Sequence, residues 1–231
     1  DTLARGGISC APVLSKQGKP VGAVSRTDLL RVGRRDAAGH GAHLMTFPDK
    51  PVIEIAKQPL LTVGPKDSVS AAAGRMVKSR IHRLFVEEAG ALIGVLSTKE
   101  ILAALAATRA KNPITEWMSS PVFTIQVQAT LAHATDRLGE AHVSGLCVVD
   151  EDGWPVGTFS QTEALATKDY PSDSPLEDAM SYALACASSK TPISRAAAIA
   201  KATRARRVLV VDDRKPVGVL TGLDFARAAA G

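Results

Sequence analysis

Gly22-Ala-Val-Ser25-Arg-Thr-Asp28 decides the fold, because the phrase returns three times. The copies are Gly94-Val-Leu-Ser97-Thr-Lys-Glu100, Gly157-Thr-Phe-Ser160-Gln-Thr-Glu163 and Gly218-Val-Leu-Thr221-Gly-Leu-Asp224. Each runs glycine, two mostly apolar residues, a hydroxyl, two variable residues and a carboxylate. The glycines are spaced 72, 63 and 61 residues apart. Self-similarity at such a period marks a repeat architecture and governs every later reading.

Working outward, each phrase has the same preamble. Apolar runs at 8–13, 81–86, 143–148 and 205–210 are followed by acidic or glycine turns at 15–18, 87–90, 150–153 and 212–215. Apolar runs bounded by such turns predict hairpins. A helical run follows each phrase, and a helix and a short strand precede each hairpin. The repeat unit is therefore strand-helix-strand-strand-helix, an α/β (α+β) class chain.

The pattern sets boundaries at 1–44, 45–108, 109–170 and 171–231. Repeat one is expected to be incomplete: residues 1–7 read as the end of its first helix, stopped by Gly6-Gly7. Residues 33–47, rich in Gly and Ala, read as a flexible connector. In repeat two, 61–63 is the lead strand and Asp67 caps a helix over 68–79. In repeat three, the lead strand is 122–127 and Thr130 caps a helix over 131–140. In repeat four, Thr191 caps a helix with Pro192 at its first position. Trp117-Met118 and Ala179-Met180 occupy equivalent places.

The chain has 231 residues and a net charge of +5, and only 4% of it is aromatic, so Ala, Val, Leu and Ile must fill the core. Cys10, Cys147 and Cys186 lack metal-ligand spacing, Cys10 and Cys147 lie in apolar runs, and the expectation is buried thiols of a reducing, cytoplasmic compartment. No apolar run reaches the length of a membrane helix, and no signal peptide is visible. Basic residues cluster at Arg31, Arg34 and Arg35 and at Arg204, Arg206 and Arg207. They read as solvated faces, as an anionic-ligand site, or as a nucleic-acid surface, though no aromatic interleaving supports the last. His40 and His43 make at most half a zinc site. Asp150-Glu-Asp-Gly153 lacks a calcium loop's length and terminal Glu, and Gly18-Lys19 is no P-loop. His133 and His142 stand beside no convincing nucleophile. The expectation is a chain with no catalytic residues and no metal.

The four phrases and their preambles resemble four cystathionine-beta-synthase (CBS) domains in tandem, and the resemblance covers nearly the whole chain. Ile81-His82-Arg83-Leu84 looks like the phosphate-binding strand of the gamma subunit of the AMP-activated protein kinase. The resemblance implies two pseudo-two-fold Bateman modules, 1–108 and 109–231, packed as a disc within one chain or through a homodimer. It also implies adenosine nucleotides (AMP, ADP or ATP) in clefts that a partner repeat completes, and a regulated protein that reads the bound state. S-adenosylmethionine or NAD in the same sites is the alternative ligand, and a nucleic-acid-binding basic surface the alternative function.

The phrase supports two accounts. A hydroxyl followed three residues later by Glu at a helix start is a capping box, which needs no ligand. The same parts can hold a nucleotide, because a helix N-terminus attracts phosphate and a carboxylate accepts both ribose hydroxyls. A capping box favours Glu or Gln, so capping suffices for Glu100 and Glu163. The shorter Asp28 and Asp224 point to ribose. The resemblance then implies one set of Ser25, Asp28, His82 and Arg83, with adenine near Thr62, Val63 and the 8–13 run. It implies a second of Ser160, Glu163, Arg206 and Arg207. A third has Thr221 and Asp224 facing the uncharged Ser144 and Gly145, and the poorest has Glu100 facing Ser9 and Cys10.

Overall fold

The computed structural model describes residues 2–33 and 45–231. Arg34, Arg35, His40 and His43, with most of the expected connector, lie outside the described residues. Repeat one contains α1 (Thr2–Arg5), β1 (Cys10–Leu14), β2 (Pro20–Ser25) and α2 (Arg26–Val32). Repeat two contains α3 (Val52–Ile55), β3 (Thr62–Val63), α4 (Val69–Ser79), β4 (Arg83–Glu88), β5 (Ala91–Ser97) and α5 (Thr98–Ala106). Repeat three has a 3-10 turn (Ile114–Glu116), β6 (Thr124–Gln126), α6 (Leu131–Glu140), β7 (Gly145–Val149), β8 (Pro155–Ser160) and α7 (Gln161–Ala166). Repeat four has a 3-10 turn (Leu176–Asp178), β9 (Cys186–Ala187), α8 (Ile193–Thr203), β10 (Arg207–Asp212), β11 (Lys215–Thr221) and α9 (Gly222–Ala230). The expected strand-helix-strand-strand-helix order is thus present in repeats two to four.

Each sheet is small. The orders are β3-β4-β5, β6-β7-β8 and β11-β10-β9, with β1-β2 alone in repeat one. The lead strand pairs parallel with the next strand through the crossover helix, and the hairpin is antiparallel. In all four hairpins the register shifts just after a valine that faces the phrase's glycine: Val13, Val86, Val148 and Val210. Such a bulge bends the strand toward the helix that follows.

Two capping expectations are corrected. Ser68, not Asp67, caps α4 by accepting the Ala71 N–H, while Asp67 accepts the Gly64 N–H and closes the preceding turn. Pro192 occupies the N-cap position of α8, one residue later than expected, so Thr191 is outside the helix. Thr130 caps α6 as expected, accepting the His133 N–H.

Two compact units emerge, Asp1–Leu60 with Phe123–Tyr182, and Leu61–Val122 with Ala183–Gly231. The first unites the hairpins of repeats one and three, the second those of repeats two and four. Chain-order modules divided at residue 108 cut across both. In the first unit Leu146, Val148, Phe159, Ala164 and Leu176 make the core, with Leu30 of α2 packed on it. In the second, Leu105 of α5 packs with Phe225 and Leu220 of repeat four, and Ala226 of α9 packs with Met76 and Ile101 of repeat two. Helix exchange at this closeness requires small residues. A Cβ on Gly222 would lie 2.4 Å from the Thr98 hydroxyl.

A further element recurs. A short opening arm passes over a hairpin edge and bonds to it through both backbone groups: Lys57 on Ala23 of β2, Ser181 on Thr158 of β8, and Ser119 on Val219 of β11. The arm crosses the phrase's glycine. A Cβ on Gly22 would meet the Lys57 carbonyl at 2.7 Å, and one on Gly157 the Ser181 carbonyl at 2.9 Å. Backbone proximity therefore demands glycine at these two positions, while at Gly218 the added Cβ would meet the Met118 side chain. Gly22→Ala and Gly157→Ala are expected to cost about 1–3 kcal/mol in urea unfolding. Gly139→Ala, a helical position with open space around its Cβ, is expected to be neutral or stabilising by up to about 1 kcal/mol.

Candidate functional site: four capped strand-to-helix junctions

Each phrase ends a strand and starts a helix, with Ser25, Ser97, Ser160 and Thr221 as the N-caps of α2, α5, α7 and α9. In every case the carboxylate three residues on accepts both the cap residue's N–H and its hydroxyl. The distances are 2.9 and 2.6 Å at Asp28, 2.7 and 2.5 Å at Glu100, and 2.7 and 2.8 Å at Asp224. Glu163 makes the same pair with Ser160.

The side-chain-length argument therefore fails: Asp closes the box as well as Glu does. What separates the two kinds is burial. Asp28 and Asp224 are 2% and 4% exposed, while Glu163 is half-buried and Glu100 exposed. A buried carboxylate needs charge compensation, and both aspartates have it one helical turn on. Arg31 Nη2 lies 3.7 Å from Asp28 Oδ1, and Arg227 Nη2 lies 3.3 Å from Asp224 Oδ1. Each arginine also donates to an arm carbonyl: Arg31 to Ile55 at 3.2 Å, and Arg227 to Trp117. In repeat four the arm's Ser119 hydroxyl adds a bond to Asp224 Oδ1 at 3.1 Å. The equivalents of the arginines in the glutamate repeats are Ala103 and Ala166. The sequence reading missed Arg31, Arg227 and Ser119 as members of these sites. An Arg three residues after Asp, but not after Glu, was the available signal.

Within the units, the structure brings together Ser25 with Asp28, Ser160 with Glu163, and Thr221 with Asp224. His82 is exposed and Arg83 half-buried at the start of β4, and Arg206 and Arg207 hold the same states at the start of β10. The His82 carbonyl accepts the Thr98 N–H, which ties this strand end to the α5 junction. Thr62 is half-buried and Val63 buried in β3, where Arg75 donates to the Thr62 carbonyl at 2.6 Å. Asp28 and Asp224 are in different units from His82–Arg83 and from Ser144–Gly145 respectively, and Glu163 from Arg206–Arg207. Among the described residues, no cluster of three or more His, Cys, Asp or Glu could hold a metal. No helix among the described residues is long and apolar enough to cross a membrane.

Burial alone would raise the Glu100 carboxyl. Bonds from the Ser97 hydroxyl and N–H and from its own N–H, with the nearby Lys99 charge, outweigh burial and hold it below the usual glutamate range. A lowered folded value gives a contribution that is full above the unfolded value of about 4.3. It is lost as pH falls through the folded value. Glu100→Gln keeps the box without the titration. Urea unfolding at stepped pH should therefore show wild type losing stability relative to Glu100→Gln only below about pH 4.3.

Comparison with known proteins agrees with this architecture. A conserved, uncharacterized protein of Pyrococcus horikoshii superposes with TM-score 0.70 at 19% identity, over 96% of this chain and 91% of that one. The Methanocaldococcus jannaschii protein MJ1225, described as a candidate archaeal homolog of g-AMPK, superposes with TM-score 0.78 at 17% identity, over 98% and 90%. A structure of CBSX2 in complex with AMP gives TM-score 0.45 at 27% identity, over 51% and 95%. No curated protein matches the chain. The CBS domain model matches four times, at residues 1–35, 52–107, 114–167 and 176–231. These matches cover most of the sequence and fall on the four repeats, and the chain belongs to the CBS domain family.

Proposed function

We propose that this chain is a non-catalytic sensor that binds an adenosine nucleotide at its strand-to-helix junctions and transmits occupancy to a regulated protein. The observation that carries this reading is the buried aspartate pair. Asp28 and Asp224 each commit one oxygen to the cap, while the other faces an arginine tied to an opening arm. A ribose offers two hydroxyls to that second oxygen. The adjacent helix N-terminus and cap hydroxyl suit a phosphate, and Arg83, Arg206 and Arg207 supply positive charge at strand ends, with His82 a further hydrogen-bonding group there. Membership of the CBS domain family supports adenosine as the nucleoside.

The same contacts supply a route to an output. Ribose hydroxyls on Asp224 would compete with Ser119 and Arg227, the two groups that hold the arm to this carboxylate. Ligand binding and arm attachment would then be linked, and only the difference in affinity between the two arm states shifts the balance. The grouping into modules 1–108 and 109–231 belongs to this proposal. It is supported by arms that pass from repeat two to repeat one and between repeats three and four.

The first test is a melting-temperature screen with AMP, ADP, ATP, S-adenosylmethionine and NAD. A true ligand at 100 times its dissociation constant adds about 2.7 kcal/mol, and no shift with any of the five would sink the reading. Asp28→Asn and Asp224→Asn retain a cap acceptor but lose the charge. Loss of a charge-assisted bond of about 1.5–3 kcal/mol should weaken calorimetric affinity on the order of 10- to 100-fold. Arg83→Ala should weaken the nucleotide while leaving adenosine, which has no phosphate, nearly unaffected. Equal losses for both would remove the phosphate role from Arg83.

A further inference from the structure

Charge is divided unevenly between the two compact units. The unit of Leu61–Val122 with Ala183–Gly231 holds 17 Lys and Arg against 8 Asp and Glu, and the unit of Asp1–Leu60 with Phe123–Tyr182 holds 11 against 15. The net charge of +5 is thus the balance of +9 on the second unit and −4 on the first. Asymmetry of this size points to a polyanionic partner for the basic part.

In the second unit the cations gather at two equivalent corners, where α4 turns into β4 and α8 into β10. Residues 68–86 and 188–211 contain no Asp or Glu, whereas α6, the matching helix of the first unit, carries Asp136 and Glu140. Arg80 and Arg204 end α4 and α8, and both are exposed with left-handed backbones, at φ 50° and 55°. Glycine adopts that conformation without strain and is the usual residue there. Backbone stability alone would favour glycine, and the strained arginine presents a guanidinium instead. Among the described residues no carboxylate pairs with either guanidinium. Lys78 and Lys201, in the last turns of the same helices, are exposed beside them.

The two corners flank one contact. Arg83 pairs with Ser97 and Arg207 with Thr221, the caps of α5 and α9, and the starts of those helices touch at Thr98 and Gly222. These steps put the Arg83 and Arg207 backbones at most about 25 Å apart, less than the roughly 34 Å of one duplex turn. We propose that the two corners of the second unit, through Lys78, Arg80, Lys201 and Arg204, dock the phosphate backbone of duplex nucleic acid without reading its sequence. The half-buried Arg83 and Arg207 stay with the small ligand. Between Arg75 and Arg83 and between Arg195 and Arg207 no large apolar side chain is exposed. The core of a protein interface and the insertion of a membrane-surface helix both need such side chains, while phosphate contact does not. None of the three aromatic residues of this unit is exposed, so the stacking platform that holds single strands is missing.

The experiment is fluorescence anisotropy of a labelled DNA duplex of about 20 base pairs and arbitrary sequence, titrated with the 231-residue chain over a series of salt concentrations. Log affinity should fall against log salt with a slope of about −3 to −4, for four cations on phosphates. The double variant Arg80→Gly with Arg204→Gly should weaken binding on the order of 10- to 100-fold and make the slope shallower by about 2. Its melting temperature should be unchanged or higher, because glycine relieves both left-handed positions, and its affinity for adenosine nucleotides should be unchanged. Lys16→Gln with Lys19→Gln removes the same formal charge from exposed positions of the first unit and should alter duplex affinity by less than about twofold. A slope near zero, or a double arginine variant that binds like wild type, would overturn the proposal. So would an equal loss in the lysine variant, which would reduce the effect to net charge. Loss of nucleotide affinity in the arginine variant would assign those side chains to the nucleotide site instead. Stronger binding to a single strand, an acidic peptide or phosphatidylserine vesicles than to the duplex would replace the partner named here.

Discussion

The capped junction is the constraint on which the rest of this structure depends. At each phrase the chain leaves an extended strand and enters a helix within one residue, at cap backbone angles near φ −120° and ψ 170°. The turn leaves the cap residue's N–H without a strand partner, and the carboxylate one turn on takes it. Such a cap contributes about 1 kcal/mol, and its geometric effect is larger than its energy. It fixes the direction of α2, α5, α7 and α9 relative to the hairpins, and those helices bear much of the contact between repeats inside each unit. In the first unit Arg26 reaches Thr162, and Thr27 reaches Gln161, from one helix start to the other.

Small residues make that packing work. The chain is poor in aromatics, so α4, α8 and α9 approach through alanine and glycine. Ala72, Ala73, Ala196, Ala197 and Ala226 are buried, and a Cβ on Gly74 would sit 3.9 Å from Ala230. Close approach of helix backbones replaces side-chain bulk as the source of contact. The few large side chains at the centre, Phe159 and Phe225, are fully buried. Truncating either would cost on the order of 3–5 kcal/mol.

Burial of Asp28 and Asp224 joins stability to function. A carboxylate withdrawn from water is costly unless it is bonded and compensated. Here compensation comes partly from the helix start and partly from arginines whose other bonds reach the opening arms. The glutamate junctions, more exposed and without a following arginine, carry the cap alone. Four copies of one phrase have thus diverged into two structural kinds, and the difference is visible only when burial and the arm are considered with the cap.

The sequence by itself determined most of what depends on residues within about one helical turn or one hairpin, the caps of α4 and α8 being the local exceptions. The four junctions, their hydroxyl and carboxylate partners, the hairpin turns and the Thr130 cap were legible because each is set by backbone and side-chain groups three or four positions apart. Tertiary structure decided which repeats share a compact unit, where the arms lie, and why three of the phrase's glycines are needed. It also decided the separation of the Asp from the Glu junctions by burial. Those features depend on segments tens of residues apart in the chain, such as Ser119 with Val219. Their pairing follows from surface fit and backbone hydrogen bonding, which a local pattern does not encode.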